Sequence, residues 1–199
     1  ALNKALHDTF AIAQNSRSSW ESTATIYQRF TQNADRLGLS QDRVAKITET
    51  VSKAVAISGA STEGANAAMM QFGQSLASGV LRGEEFKSVN EQTPAVLDAI
   101  AKGLGVARAD LKAMADEGKL TTDVLIPALE KAGVSVDELF GRTDMTIGQS
   151  FTFLNNEILK FVGVAGDSSG AATLTASSIK LLGENIELVA ILGRESPSF

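Results

Sequence analysis

The residues best equipped for chemistry in this 199-residue chain are few, and they are badly placed for it. The one histidine, His7, has the residue type of a general base. Only Asp8 stands beside it, and no serine or cysteine constellation surrounds it, so a surface helix position is the plainer reading. Carboxylates occur in pairs at Glu84/Glu85, Asp116/Glu117 and Asp137/Glu138. Acid–base work needs two carboxylates that converge on one bond. Neighbours on a helix point about 100° apart, so these pairs read as solvated faces and first-turn charges. Ser177-Ser178-Ile179-Lys180 matches the Ser-x-x-Lys of penicillin-interacting enzymes, but the Ser-Asp-Asn and Lys-Thr-Gly partners of that motif are missing. Gly103-Leu104-Gly105 is followed by Arg108 where a dinucleotide fingerprint needs glycine, and no Gly-Lys-Ser/Thr of a phosphate loop occurs. From Asp116 onward, Gly118 and Leu120 stand where a calcium loop needs oxygen ligands. With no cysteine, the chain has no disulfide framework, thiolate metal site or thiol nucleophile. The sequence therefore offers no catalytic residue, metal-ligand set, cofactor site or small-molecule substrate.

The elements that carry these residues are helical. Alanine, the best helix former, is the commonest residue, and no stretch sustains an alternation of period two. Leu, Ile, Val and Phe make up about 27 % of the chain, above the roughly 20 % below which chains stay disordered. An all-α fold follows: a compact multi-helix domain of short and medium helices, with longer flanking helices and no sheet. A leading helix, residues 1–15, places Leu2, Leu6 and Phe10 on one face. Ser18 or Ser19 caps a second with Trp20, Tyr27, Phe30, Ala34 and Leu37, ended by Gly38. Ser40 caps a third with Val44, Ile47, Val51 and Val55. The short link Ser58-Gly59-Ala60-Ser61 predicts an antiparallel hairpin with the fourth helix, which presents Ala65, Met69, Phe72, Leu76 and Val80. Within that helix the uncharged run Gly64–Leu81 is borderline in length for a membrane span, but Asn66, Gln71, Gln74, Ser75 and Ser78 favour a buried helix instead.

From Gly83 to Gly141 the helices become short. Thr93-Pro94 opens one that ends at Gly103 or Gly105. Ala107–Glu117 is the next. Thr121 or Thr122 caps a third over Asp123–Lys131, ended by Gly133, and Ser135 with Glu138 fits a capping box for a last turn. In outline this resembles a helix-turn-helix, but residues 61–141 hold 12 acidic and 7 basic residues. A DNA reader needs a basic stripe, so no nucleic-acid partner is expected. Beyond, Ile147, Phe151, Leu154, Ile158, Phe161 and Ala165 follow a 4-3-4-3-4 seam like that of a coiled coil. After the turn-prone Gly166–Gly170, Ile179, Leu182, Ile186 and Val189 make a second stripe. The chain opens with Ala1 and shows no signal peptide, and it reads as a piece of a longer protein or a processed product.

The run Val80-Leu81-Arg82-Gly83-Glu84-Glu85-Phe86-Lys87-Ser88-Val89-Asn90-Glu91-Gln92-Thr93-Pro94 is distinctive. Ile100–Val106, Asp110-Leu111-Lys112, Glu117–Thr121 and Val124–Leu129 follow it. In this order and spacing the chain resembles the N-terminal conserved region of bacteriophage tail tape measure proteins, strongly over Val80–Leu129 and more weakly over about Trp20 to Val162. The resemblance implies a structural, non-enzymatic role in tail assembly, as part of a chain that sets tail length and scaffolds polymerisation of the tail tube. It implies tube protein, tail-assembly chaperones and tail-tip proteins as partners, several copies packed together as a homo-oligomer, and a place in the lumen of the virion tail after assembly in the bacterial cytoplasm. The domain division that goes with it is a leading helix over 1–15, a compact helical module over 16–143 and long coiled-coil-like helices over 144–199. Within the matching run, Arg82, Glu84, Glu85, Phe86, Asn90 and Glu91 are candidate partner-docking residues. Packing is the competing reading there, with Phe86 and Val89 in the core and the two glutamates favouring a helix N-terminus. A generic helical interaction domain and a membrane-active helical segment are the alternative functions.

Overall fold

The computed structural model describes residues 2–164, and among them every regular element is an α-helix. In chain order these are α1 (Leu2–Asn15), α2 (Trp20–Leu37), α3 (Gln41–Ile57), α4 (Thr62–Ser78), α5 (Gly83–Gln92), α6 (Pro94–Leu104), α7 (Arg108–Asp116), α8 (Thr122–Phe140) and α9 (Ile147–Val164). Two compact units divide the chain, residues 1–156 and residues 157–199. Of the second unit, the end of α9 over 157–164 is described. The Ser-x-x-Lys match, the glycine-flanked break at 166–170 and the stripe from Ile179 lie outside the described residues.

Local chemistry sets most helix ends. Ser19, Ser40 and Ser61 each accept a hydrogen bond from the backbone N–H three residues on, which satisfies one orphan donor of α2, α3 and α4. Gly38 (φ 61°) and Gly105 (φ 72°) close α2 and α6 in the left-handed region. Pro94 takes the first position of α6, where no N–H is needed.

The core of the first unit forms where α8 lies between α3 and α6, and where α2 packs on α1, α3 and α4. α8 buries Thr122, Leu125, Ile126, Leu129, Ala132 and Val136, the three- and four-residue spacing of one helical face. Phe30 and Phe72, both fully buried, meet edge to face with centroids 6.5 Å apart and join α2 to α4. At Gly103 two helices approach closely: a Cβ there would lie 1.9 Å from the carbonyl oxygen of Ala128 in α8. The chain also pairs with itself outside the helices. Leu81 N–H donates to Leu120 O (2.9 Å) and Thr122 N–H to Gly79 O (3.0 Å), an isolated antiparallel bridge that buries Leu81 and Leu120.

Three details depart from the sequence reading. α8 is one continuous helix through Gly133 to Phe140. Ser135 does not start a new turn, because its hydroxyl donates to Ala132 O within the helix (3.0 Å), and Gly133 sits against Thr50 of α3. Of the two stops the sequence offers for the helix over 94–104, Gly105 is the one used, with Gly103 held inside the helix by the contact with α8. The link 58–61 does not produce a packed α3–α4 hairpin: α4 packs on α2 and α5, while α3 packs on α8. Finally, α1 buries Thr9, Ile12 and Ala13 and leaves Leu6 about half exposed. The uncharged run over 64–81 is mostly α4, which buries Met69, Phe72 and Leu76, and no described helix is long and apolar enough to cross a membrane.

Candidate docking surfaces

α5 carries the candidate docking residues, and its two faces divide them. Val89 is fully buried and Phe86 packs half-buried against the core, which fixes the helix on α4 and α6. Arg82 stands just ahead of α5 in extended backbone, and the chain enters the helix through Gly83 at φ 57°. Arg82, Glu84, Asn90 and Glu91 are exposed, and Glu85 is half-exposed. Glu84 and Glu85 occupy the first turn, where their charge meets the positive end of the helix dipole. Asn90 is the exception in role, because its Oδ1 accepts from Arg108 Nη2 (2.9 Å) and Arg108 Nη1 donates to Asp98 (3.2 Å). This bracket joins α5, α6 and α7 at the surface, so Asn90 is a structural tie. Arg82, Glu84, Glu85 and Glu91 make no side-chain hydrogen bond or ion pair among the described residues. They present three carboxylates and one guanidinium on or beside one short helix.

α9 has the reverse of ordinary amphipathicity. Over 147–156, the side chain facing the body is an amide: Asn156 is fully buried, its Oδ1 accepting from Trp20 N–H (2.9 Å) and its Nδ2 donating to Ser18 O (2.8 Å) and Gln14 Oε1 (3.1 Å). One heptad earlier, Gln149 Nε2 donates to Ala56 O at the end of α3 (3.3 Å). Ile147, Phe151, Phe153 and Leu154 face solvent, Ile147 at 79 % exposure. Farther along the same helix, Leu159 and Phe161 are also exposed. Soluble helices bury their apolar side and hydrate their polar side; an exposed apolar face of this extent marks an interaction surface. The helix opens on a reciprocal cap: Thr146 Oγ1 accepts from Gln149 N–H and Gln149 Oε1 accepts from Thr146 N–H, both at 3.1 Å.

The remaining polar features tie helices together. Arg43 forks onto both oxygens of Glu130 (2.7 and 2.9 Å), linking α3 to α8 across a groove of about 510 Å3. Burial pulls the Lys53 ammonium down, but its hydrogen bonds to Asp137 and Glu49 outweigh that and hold it above the usual lysine value. Burial pushes the Tyr27 phenol up. His7 is exposed, 3.8 Å from Asp8. No group of three or more His, Cys, Asp or Glu able to hold a metal occurs among the described residues.

The sequence reading found the seam over 147–161 but not the polar side that seats it. The spacing Thr146-x-x-Gln149 carries the capping-box signal and could have been read directly. Asn156 could not, because nothing local distinguishes a buried asparagine from a solvated one. Against known proteins, residues 1–167 match the family model described as tape measure protein. No curated protein and no solved structure matches the chain.

Proposed function

The chain belongs to the tape measure protein family, whose members are structural components of phage tails, and from that premise we propose that it is a folded module of a ruler that sets tail length and scaffolds tube polymerisation. The match over residues 1–167 carries this reading. An α-helix advances about 1.5 Å per residue, so a helical chain converts residue count into length. Residues 2–156 are folded back on themselves, which suits an anchoring or assembly head better than the extended part of a ruler. The role is structural rather than catalytic, exercised in the tail lumen after assembly in the host cytoplasm. Tube protein, tail-assembly chaperones and tail-tip proteins are its partners. Arg82, Glu84, Glu85 and Glu91 form the surface that such a partner reads, with Phe86 and Asn90 holding α5 in place.

The test is tail length by electron microscopy after in-frame deletions in the encoding gene beyond residue 167. Shortening by about 1.5 Å per residue removed supports the ruler. Unchanged length overturns it and leaves a helical interaction module.

The exposed Ile147, Phe151 and Leu154 support association of several copies along α9. Sedimentation of the chain and of its Phe151→Ser variant checks this. Concentration-dependent association that the substitution abolishes is expected, and a monomer at all concentrations refutes it.

A further inference from the structure

α9 is seated unlike any other helix of the first unit. Among the described residues no other helix packs extensively along it, and the hydrogen bonds that seat it over 147–156 are those of Asn156 and Gln149. Between Gln149 and Thr152 and the body lies a gap of about 40 Å3, lined also by Arg17, Ser22, Ala56 and Asn66. The large apolar side chains of this stretch are 37–79 % exposed and none is fully buried, so only partial hydrophobic burial opposes lifting it.

The ends of the seat are equally distinct. Arg17 Nη1 donates to Thr143 O (3.0 Å), and the Arg17 guanidinium stacks over the Phe140 ring at 4.4 Å. The chain is therefore pinned as far as Thr143. Asp144, Met145 and Thr146 follow as an exposed link without regular structure. α9 then begins on a reciprocal cap between Thr146 and Gln149, whose amide also reaches Ala56 O.

We infer that residues 147–156 are a latched arm, which lifts from a body that stays folded, with 144–146 as its pivot and Asn156 as its catch. Lifting leaves no buried polar orphan, because Asn156, Trp20 N–H and Ser18 O all reach water once the arm moves. In use, which rests on the bundling role proposed above, the free arm could align its apolar face with that of another copy while the head keeps its fold.

Hydrogen exchange on the whole 199-residue chain, read by mass spectrometry, tests the latch. A lifted helix of this length is marginal in water, so its amides exchange on opening. Amides of 150–156 should exchange at least about tenfold faster than those of α3, α6 and α8, because they open without global unfolding. Asn156→Ala should accelerate them roughly another tenfold, leaving α8 exchange and the unfolding midpoint unchanged. Exchange of 150–156 in step with α8, or an Asn156→Ala loss of global stability, overturns the latch. Association is read separately by sedimentation: a chain that is monomeric yet shows the selective exchange fails the bundling reading alone.

Discussion

Gly103→Ala is the substitution that most directly tests the packing of the head. Alanine in a helix interior normally stabilises by about 0.5–1 kcal/mol over glycine. Here the added Cβ would sit 1.9 Å from Ala128 O, 2.5 Å from Ala128 C and 2.7 Å from its Cα, all backbone atoms of α8. No rotamer change relieves a clash with backbone. Ordinary contact resumes near 3.4 Å, so α6 and α8 must part by about 1.5 Å at this point. A gap of about 0.5–1 Å already forfeits a quarter to a half of each dispersion contact. The contacts at stake belong to Leu97, Ile100 and Ala101 on one side and Leu125, Ala128 and Leu129 on the other. Overpacking costs about 1–3 kcal/mol where side chains can yield; with rigid backbone on both sides we expect about 3 kcal/mol net. In urea, with a slope of about 1–3 kcal/mol per molar, the midpoint should fall by at least about 1 M. Gly133→Ala in α8 is the control: its Cβ would meet Thr50 Oγ1 at 3.4 Å, an ordinary contact, and it should be neutral or stabilising by up to about 1 kcal/mol. If Gly103→Ala proves as benign as Gly133→Ala, the claimed approach of α6 and α8 is wrong.

Phe72→Ala should cost about 3–5 kcal/mol in thermal or chemical unfolding, since it removes a fully buried ring and the edge-to-face partner of Phe30; a loss under about 1 kcal/mol would deny it that place. At high pH two groups act with the same sign. The native state holds the Tyr27 phenol neutral and the Lys53 ammonium charged to higher pH than the unfolded chain does, so stability is intact below about pH 10 and falls above it. Tyr27→Phe should leave neutral-pH stability nearly unchanged and make the alkaline decline shallower, measured as urea midpoints from pH 8 to 11; an identical decline in both proteins refutes the assignment to Tyr27.

Helix content, the serine caps at 19 and 40 and the stop at Gly38 were legible because their signals are local. So was the face Met69, Phe72 and Leu76, where three- and four-residue spacing marks burial directly. What escaped depends on contacts distant in sequence. Gly133 reads as a helix end until Thr50 is seen beside it, and Gly103 and Gly105 read as equal candidates for a stop until Ala128 is found against Gly103. The bridge between Gly79–Leu81 and Leu120–Thr122 has no period to announce it. At the proposed docking surface, exposure of Arg82, Glu84 and Glu91 follows from charge alone, whereas the tie from Asn90 to Arg108 spans 18 residues. The apolar seam of α9 was plain, but its outward direction was not: a periodic stripe says which residues share a face, never which way that face points.

The bridge beside α8 has a consequence for how the head can vary. It brings the chain back at Leu120 to the point it left at Leu81, so α5, α6 and α7 form a closed excursion of about 40 residues. Entry and exit are neighbours, so the length of that excursion is decoupled from the spacing between α4 and α8. An insertion in the unpacked links of that excursion is correspondingly cheap, since doubling a flexible loop adds only about 0.6 kcal/mol of closure entropy. The exposed residues Arg82, Glu84 and Glu91 and the half-exposed Glu85 therefore sit on a segment whose surface positions can change while the path of the chain on either side of it stays the same.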